Sequence, residues 1–207
     1  MNSKNVAWLK ISGVSGVLAP LVAFTFISLA IAYSPQFSWT ENALSDLGVA
    51  KGVTAVLFNS GLIIGGILAI IFASGLFVFL RNRVFGRIGA FIFTLAALAL
   101  VAIGIFTENF GRIHYYVSVA FFTFAPISML IICATFFVMG KVKMGVFTFL
   151  TAIIVAFVWV LQFAMRYVPN VAIPETISAL SASTWSIVLG FQMLKQGSRS
   201  NKSTTTP

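Results

Sequence analysis

Four side chains in two polar stretches of this chain belong to the types that perform acid–base or nucleophilic chemistry. Ser45 and Asp46 are adjacent in the stretch 38–48, SWTENALSDLG, and Glu108 and His114 lie close together in a later stretch. A histidine near a serine and a carboxylate can act as a general base, a proton shuttle or a metal ligand. We therefore take these four residues as candidate catalytic residues.

The same residues do not form a complete catalytic set. A catalytic zinc needs three protein ligands and a water, and the chain has a single histidine. Its single cysteine, Cys133, lies in the middle of an apolar run and cannot join them. No GxSxG elbow surrounds Ser45, although Ser45, His114 and Glu108 in meeting loops would permit a serine hydrolase. We predict no metal and no cofactor, and whether the protein is an enzyme stays open.

A second group of polar side chains falls inside apolar runs, and we predict that it lines a ligand-binding vestibule. Asn59 and Gln162 lie at comparable depths in two runs, and Ser178 and Ser181 are spaced i, i+3 on one helical face. The alternative is that these side chains only form hydrogen bonds between helices, worth on the order of 0.6 kcal/mol each.

The elements that must position these residues are membrane helices. Fifty-nine percent of residues are hydrophobic and eight percent are charged, whereas about a quarter are charged in soluble domains. Runs of roughly 20 apolar residues cross a bilayer. We predict an all-α, polytopic transmembrane bundle of six helices over residues 1–196 and a disordered polar tail over 197–207. The predicted spans are 8–33, 53–80, 84–106, 115–139, 145–168 and 174–194.

The charged residues predict the orientation of this bundle. Ten of the thirteen lysines and arginines are expected on one side, which places both termini in the cytoplasm. All four acidic residues and His114 are expected on the outer side. The net charge of +9 then lies beside anionic lipid headgroups and does not indicate nucleic-acid binding. The basic residues on the cytoplasmic side are Lys4, Lys10, Arg81, Arg83, Arg87, Lys141, Lys143, Lys195, Arg199 and Lys202.

Four motifs stand out in the chain, and they are SDLG at 45–48, FNSGL at 58–62, GIFTENFG at 104–111 and IHYYVSVAFFTFAP at 113–126. Together they resemble the domain-of-unknown-function family numbered nine-nine-eight, a group of six-span prokaryotic membrane proteins. The chain departs from the family pattern at Thr107, where proline is usual, and at Asn109, where aspartate is common. The resemblance implies a six-span architecture and outward-facing polar residues, and it implies no activity.

The sequence thus favours a multi-pass protein of the cell membrane with an outward-facing polar site. We expect a lipid-binding protein or an accessory membrane subunit, whose partners are membrane lipids and a partner membrane subunit or further copies of the chain. The alternatives are a membrane-embedded hydrolase that acts on a lipid and a transporter of small molecules. The low charge of the spans argues against ion-coupled transport, which places ionisable residues near the bilayer midplane.

Overall fold

Six long helices and two short 3-10 helices make up the computed structural model, which describes residues 2–202. No strand occurs within that range. The 3-10 helices are Leu44–Val49 and Glu108–Phe110. The long helices are α1 Ser3–Ala32, α2 Val53–Phe79, α3 Val84–Ile105, α4 Arg112–Val138, α5 Val142–Met165 and α6 Ala172–Lys202.

The predicted bundle of six transmembrane helices is confirmed. Each long helix has the length and the apolar composition needed to cross a membrane, since 20 residues already extend about 30 Å. The helices differ from the predicted spans mainly at the chain ends. α1 begins at Ser3 because the Asn2 side chain accepts a hydrogen bond from the Asn5 amide at 2.9 Å and caps the first turn. α6 continues to Lys202, so the predicted tail at 197–207 begins inside a helix, and residues 203–207 lie outside the described range.

The helices form a closed ring in chain order, with α6 returning to pack against α1. Small residues permit this closure. Gly13 and Gly190 face each other across the α1–α6 contact, where an added Cβ on Gly190 would lie 2.7 Å from the Gly13 carbonyl oxygen. The Ser186 hydroxyl donates a hydrogen bond to the Gly16 carbonyl at 2.5 Å, which joins the same two helices deeper in the ring.

One half of the ring has a filled core. Trp185 is fully buried between Phe72 and Phe93, with ring centroids at 6.0 and 5.2 Å, and its indole N–H donates to Thr148 at 3.2 Å. Met129, Ile132 and Phe136 of α4 extend this cluster toward the end of the bundle that carries both termini, and they are also fully buried.

The two ends of the bundle differ in charge, and we name them accordingly. The basic end carries the termini and the short links 80–83 and 139–141, and the acidic end carries the links 33–52, 106–111 and 166–171. The two acidic 3-10 helices both lie at the acidic end. The assignment of the acidic end to the outside of the cell stays a prediction.

Candidate functional site

The first link, 33–52, folds back over the acidic end of the bundle. Leu44 and Leu47 of its 3-10 helix are buried against Ile27, Phe58 and Ile103 of three long helices. Burial of these leucines explains why a polar stretch adopts a fixed position, since each buried leucine contributes about 1.5–3 kcal/mol.

Asp46 stabilises this link from within. Its Oδ2 accepts hydrogen bonds from the Asn42 side chain at 2.7 Å and from the Ala43 amide at 3.0 Å, and so caps the 3-10 helix. Gly48 lets the chain come close to α2, because an added Cβ would lie 2.6 Å from the Asn59 side-chain oxygen. The Asp46 carboxylate is therefore held by its own loop, and the loop is held against α2.

Ser45 and Glu108 come together, an arrangement that the sequence permitted. The Ser45 hydroxyl donates a 2.6 Å hydrogen bond to Oε1 of Glu108, and Ser45 is buried. Burial raises the pKa of the Glu108 carboxyl above its usual value of 4.5, and the nearby Asp46 charge raises the pKa further, while the Ser45 hydrogen bond and the His114 charge oppose the shift. Gly111 turns the chain after the 3-10 helix that contains Glu108, and its φ of 55° is a conformation that glycine adopts without strain.

His114 does not pair with Ser45. Its Nδ1 lies 2.7 Å from the Phe106 carbonyl oxygen, which fixes the proton on that nitrogen, and its Nε2 lies 3.4 Å from the Ser118 hydroxyl. Ser45 therefore bonds to Glu108, and His114 bonds to Phe106 and Ser118, so a Ser–His catalytic relay is not assembled.

Glu175 is a further acidic residue at this site, and the sequence reasoning did not select it. Oε2 of Glu175 accepts a 2.6 Å hydrogen bond from the Leu44 amide, and the side chain is only 9% exposed. The contact joins residues 131 positions apart. A glutamate in the first turn of an apolar helix is a signal that could have identified it, since ionisable residues in membrane helices are costly and tend to be functional.

An elongated cavity begins directly beneath these groups. It is open on one side and encloses about 130 Å³, and among the described residues its wall comes from every long helix except α5. The lining of α6 runs from Glu175 to Ser186, which is roughly 16 Å along a helix and so about half of a bilayer's hydrocarbon thickness. The wall is almost wholly apolar, and its polar side chains at the acidic end are Ser45, Ser118 and Glu175.

The four residues that were predicted to bind a ligand lie outside this wall. The Asn59 side chain donates to the Gly48 carbonyl at 2.8 Å, and Gln162 donates to the Val168 carbonyl at 2.9 Å, so both hold links in place. The Ser178 hydroxyl is buried without a hydrogen-bond partner among the described residues, and Ser181 is half-buried. Their role in ligand binding stays a prediction.

The arrangement offers acid–base groups and hydrogen-bond acceptors above an apolar chamber. Within residues 2–202, no three histidine, cysteine, aspartate or glutamate side chains lie close enough to bind one metal ion.

The comparisons with known proteins agree with the sequence resemblance. A family model described as "Protein of unknown function (DUF998)" matches residues 17–192, a range that includes the cavity, the larger part of each long helix and the three links at the acidic end. No curated protein and no solved structure matches the chain. The protein is therefore a multi-pass membrane protein that belongs to the DUF998 family.

Proposed function

We propose that this protein binds a membrane amphiphile, with the apolar chain in the central cavity and the polar head at the acidic end. The observation that carries the proposal is the cavity itself, an apolar chamber that extends along α6 and ends at Ser45 and Glu175. Ligand sites are commonly apolar pockets with a few polar groups that fix orientation. The location is the cell membrane, with the acidic end outside and both termini in the cytoplasm.

The polar end should decide which amphiphile binds. A lipid tail gains little by leaving the bilayer for an apolar cavity, because both surroundings lack water. Packing against the wall and hydrogen bonds to the head must then supply the selectivity. This reasoning supports a binding role, either alone or as an accessory subunit that presents a lipid to a partner or to another copy of the chain.

The binding proposal is tested by native mass spectrometry of the protein extracted in a mild detergent. Ala179 lines the cavity one turn below Glu175, so Ala179→Phe should fill the upper chamber and remove a retained amphiphile. Leu180→Phe is the matched control, because Leu180 is 50% exposed on the outer surface of the same helix. We expect a specific amphiphile on the wild type and on the control. An empty wild type, or unchanged retention in a folded Ala179→Phe, contradicts the proposal.

A second candidate function is hydrolysis of a lipid. It is favoured by one observation, the 2.6 Å hydrogen bond from the Ser45 hydroxyl to Glu108 at the head of the cavity. A carboxylate in this position can accept the serine proton as a general base. A fluorophosphonate probe that labels the wild type but not Ser45→Ala would support an activated serine, and equal labelling of both would remove this candidate. Transport of a small molecule has no comparable observation in its favour.

A further inference from the structure

The head of the cavity has an acceptor that no other residue uses. One oxygen of Glu175 binds the Leu44 amide, and the other, Oε1, makes no hydrogen bond to any residue that the structure describes. The side chain is more than nine-tenths buried and forms part of the cavity wall. Its free oxygen is therefore available to a molecule inside the cavity.

The charge around this oxygen has one sign. The described wall of the cavity contains no lysine, arginine or histidine, and Glu175 is its single ionisable residue. Glu108 adds a second carboxyl immediately behind Ser45. A buried carboxylate without a cationic partner is costly, and an incoming cation would offset that cost.

We propose that the amphiphile in this cavity is a long-chain amine, whose protonated amino group binds Oε1 of Glu175. The inference rests on the proposed function and specifies the chemical class of the ligand. An ammonium group brings donors and no acceptor, and so matches a carboxylate oxygen and the lone pairs of serine hydroxyls. Ser45 and Ser118 supply such hydroxyls in the same wall. A carboxylate or phosphate head would instead add another acidic group beside Glu175 and Glu108, with no cation in the described wall to balance it.

The test uses two photoreactive probes of equal chain length, a hexadecyl amine and a hexadecanoic acid that each carry a diazirine in the chain. The full-length protein is placed in nanodiscs of zwitterionic lipid and irradiated, and the labelled peptides are identified by mass spectrometry. We expect the amine to label the cavity-lining parts of α1 and α6 at least roughly tenfold more than the acid, or about 1.4 kcal/mol in apparent affinity. Excess unlabelled hexadecylamine should abolish this labelling.

Two variants separate the specific carboxylate from the general charge. Glu175→Gln keeps an acceptor for the Leu44 amide but removes the negative charge, and we expect it to lose the preference for the amine. Glu41→Gln removes the same charge from an exposed residue of the first link, and it should leave the preference unchanged.

The outcomes distinguish the two proposals. Equal labelling of the cavity by both probes, or an equal loss in both variants, overturns the amine assignment and leaves amphiphile binding in place. The wild-type comparison alone decides the matter if Glu175→Gln does not fold. Absence of specific cavity labelling by either probe overturns the amine assignment together with the proposed function.

Discussion

Two glutamate side chains at the acidic end form hydrogen bonds to the 3-10 helix Leu44–Val49. Glu108 binds the Ser45 hydroxyl and Glu175 binds the Leu44 amide, so two carboxyls from distant parts of the chain hold adjacent residues of the same 3-10 helix. Each such hydrogen bond contributes about 0.5–1.5 kcal/mol net. The acids therefore fix the position of the first link and also place carboxyl groups at the head of the cavity.

Glu108 should make stability depend on pH. Its pKa is raised above the usual 4.5, so the Glu108 carboxyl binds a proton more tightly in the folded protein than in the unfolded chain. Stability due to this group is then fully present below pH 4.5 and is lost as the pH rises toward the raised pKa. We expect the Tm of the wild type in detergent to fall more steeply over this window than that of Glu108→Gln, which cannot titrate. Equal slopes in thermal unfolding series would contradict the assignment.

Residue types predicted only part of the site. The sequence placed Ser45 and Glu108 on links at the same end and so permitted their contact, and the structure joins them by a hydrogen bond. The contact between Glu175 and the Leu44 amide could not be predicted from the sequence, because nearly every residue type has the same backbone N–H donor. The sequence placed Asn59 and Gln162 in a ligand-binding vestibule, because residue types do not distinguish a side chain that holds a loop from one that faces a cavity.

At the scale of elements, glycines on two faces of α2 bring both neighbouring helices close. Gly61 and Gly65 contact α1, and Gly65 would place an added Cβ 3.0 Å from the Ala23 Cβ. Gly66 faces α3, where an added Cβ would lie 2.9 Å from the Val101 backbone nitrogen. Close backbone approach of this kind replaces the hydrophobic driving force that helices lack inside a membrane.

Gly61→Leu should disturb the α1–α2 contact. An added side chain at Gly61 would overlap the Phe26 Cβ, which is bonded to the backbone and cannot rotate away. Overpacking costs about 1–3 kcal/mol, so we expect a decrease in Tm of about 2–12 °C in detergent. Val56→Leu is the control, because Val56 is 64% exposed on the same helix. An unchanged Tm for Gly61→Leu would show that this contact is absent.

The first link should loosen when its bond to α6 is removed. In a Cys133→Ala background, a cysteine at the buried position Ala43 reports on opening of the link. Glu175→Ala removes the acceptor of the Leu44 amide, and we expect maleimide labelling about tenfold faster than in Glu175→Gln, which retains an acceptor oxygen. Similar labelling rates in the two variants would mean that this hydrogen bond does not hold the link.

At the scale of the whole molecule, the number of helices was predictable and the cavity was not. Hydropathy identifies six spans because each span must be long and apolar enough to cross the bilayer and must satisfy its own backbone hydrogen bonds. The cavity is the space that remains between the packed helices. Small alanine side chains in its wall, such as Ala97 of α3 and Ala182 of α6, leave this space unfilled. Alanine is common throughout membrane helices, so no local pattern distinguishes a wall of alanines from a close helix contact.

The orientation of the whole bundle connects these observations to the cell. The four acidic residues all lie at one end, and most of the lysines and arginines lie at the other, which predicts that the cavity opens toward the outside. In the Cys133→Ala background, Gln36→Cys at the acidic end should react in intact cells with a maleimide that cannot cross membranes. Asn82→Cys in the link between α2 and α3 should react only after lysis, since both positions are exposed in the bundle and differ in the end they occupy. A reporter fused after Lys202 should be active in the cytoplasm. The reverse pattern of labelling would place the carboxyl groups and the head of the ligand in the cytoplasm, and the amphiphile would then have to come from the inner leaflet.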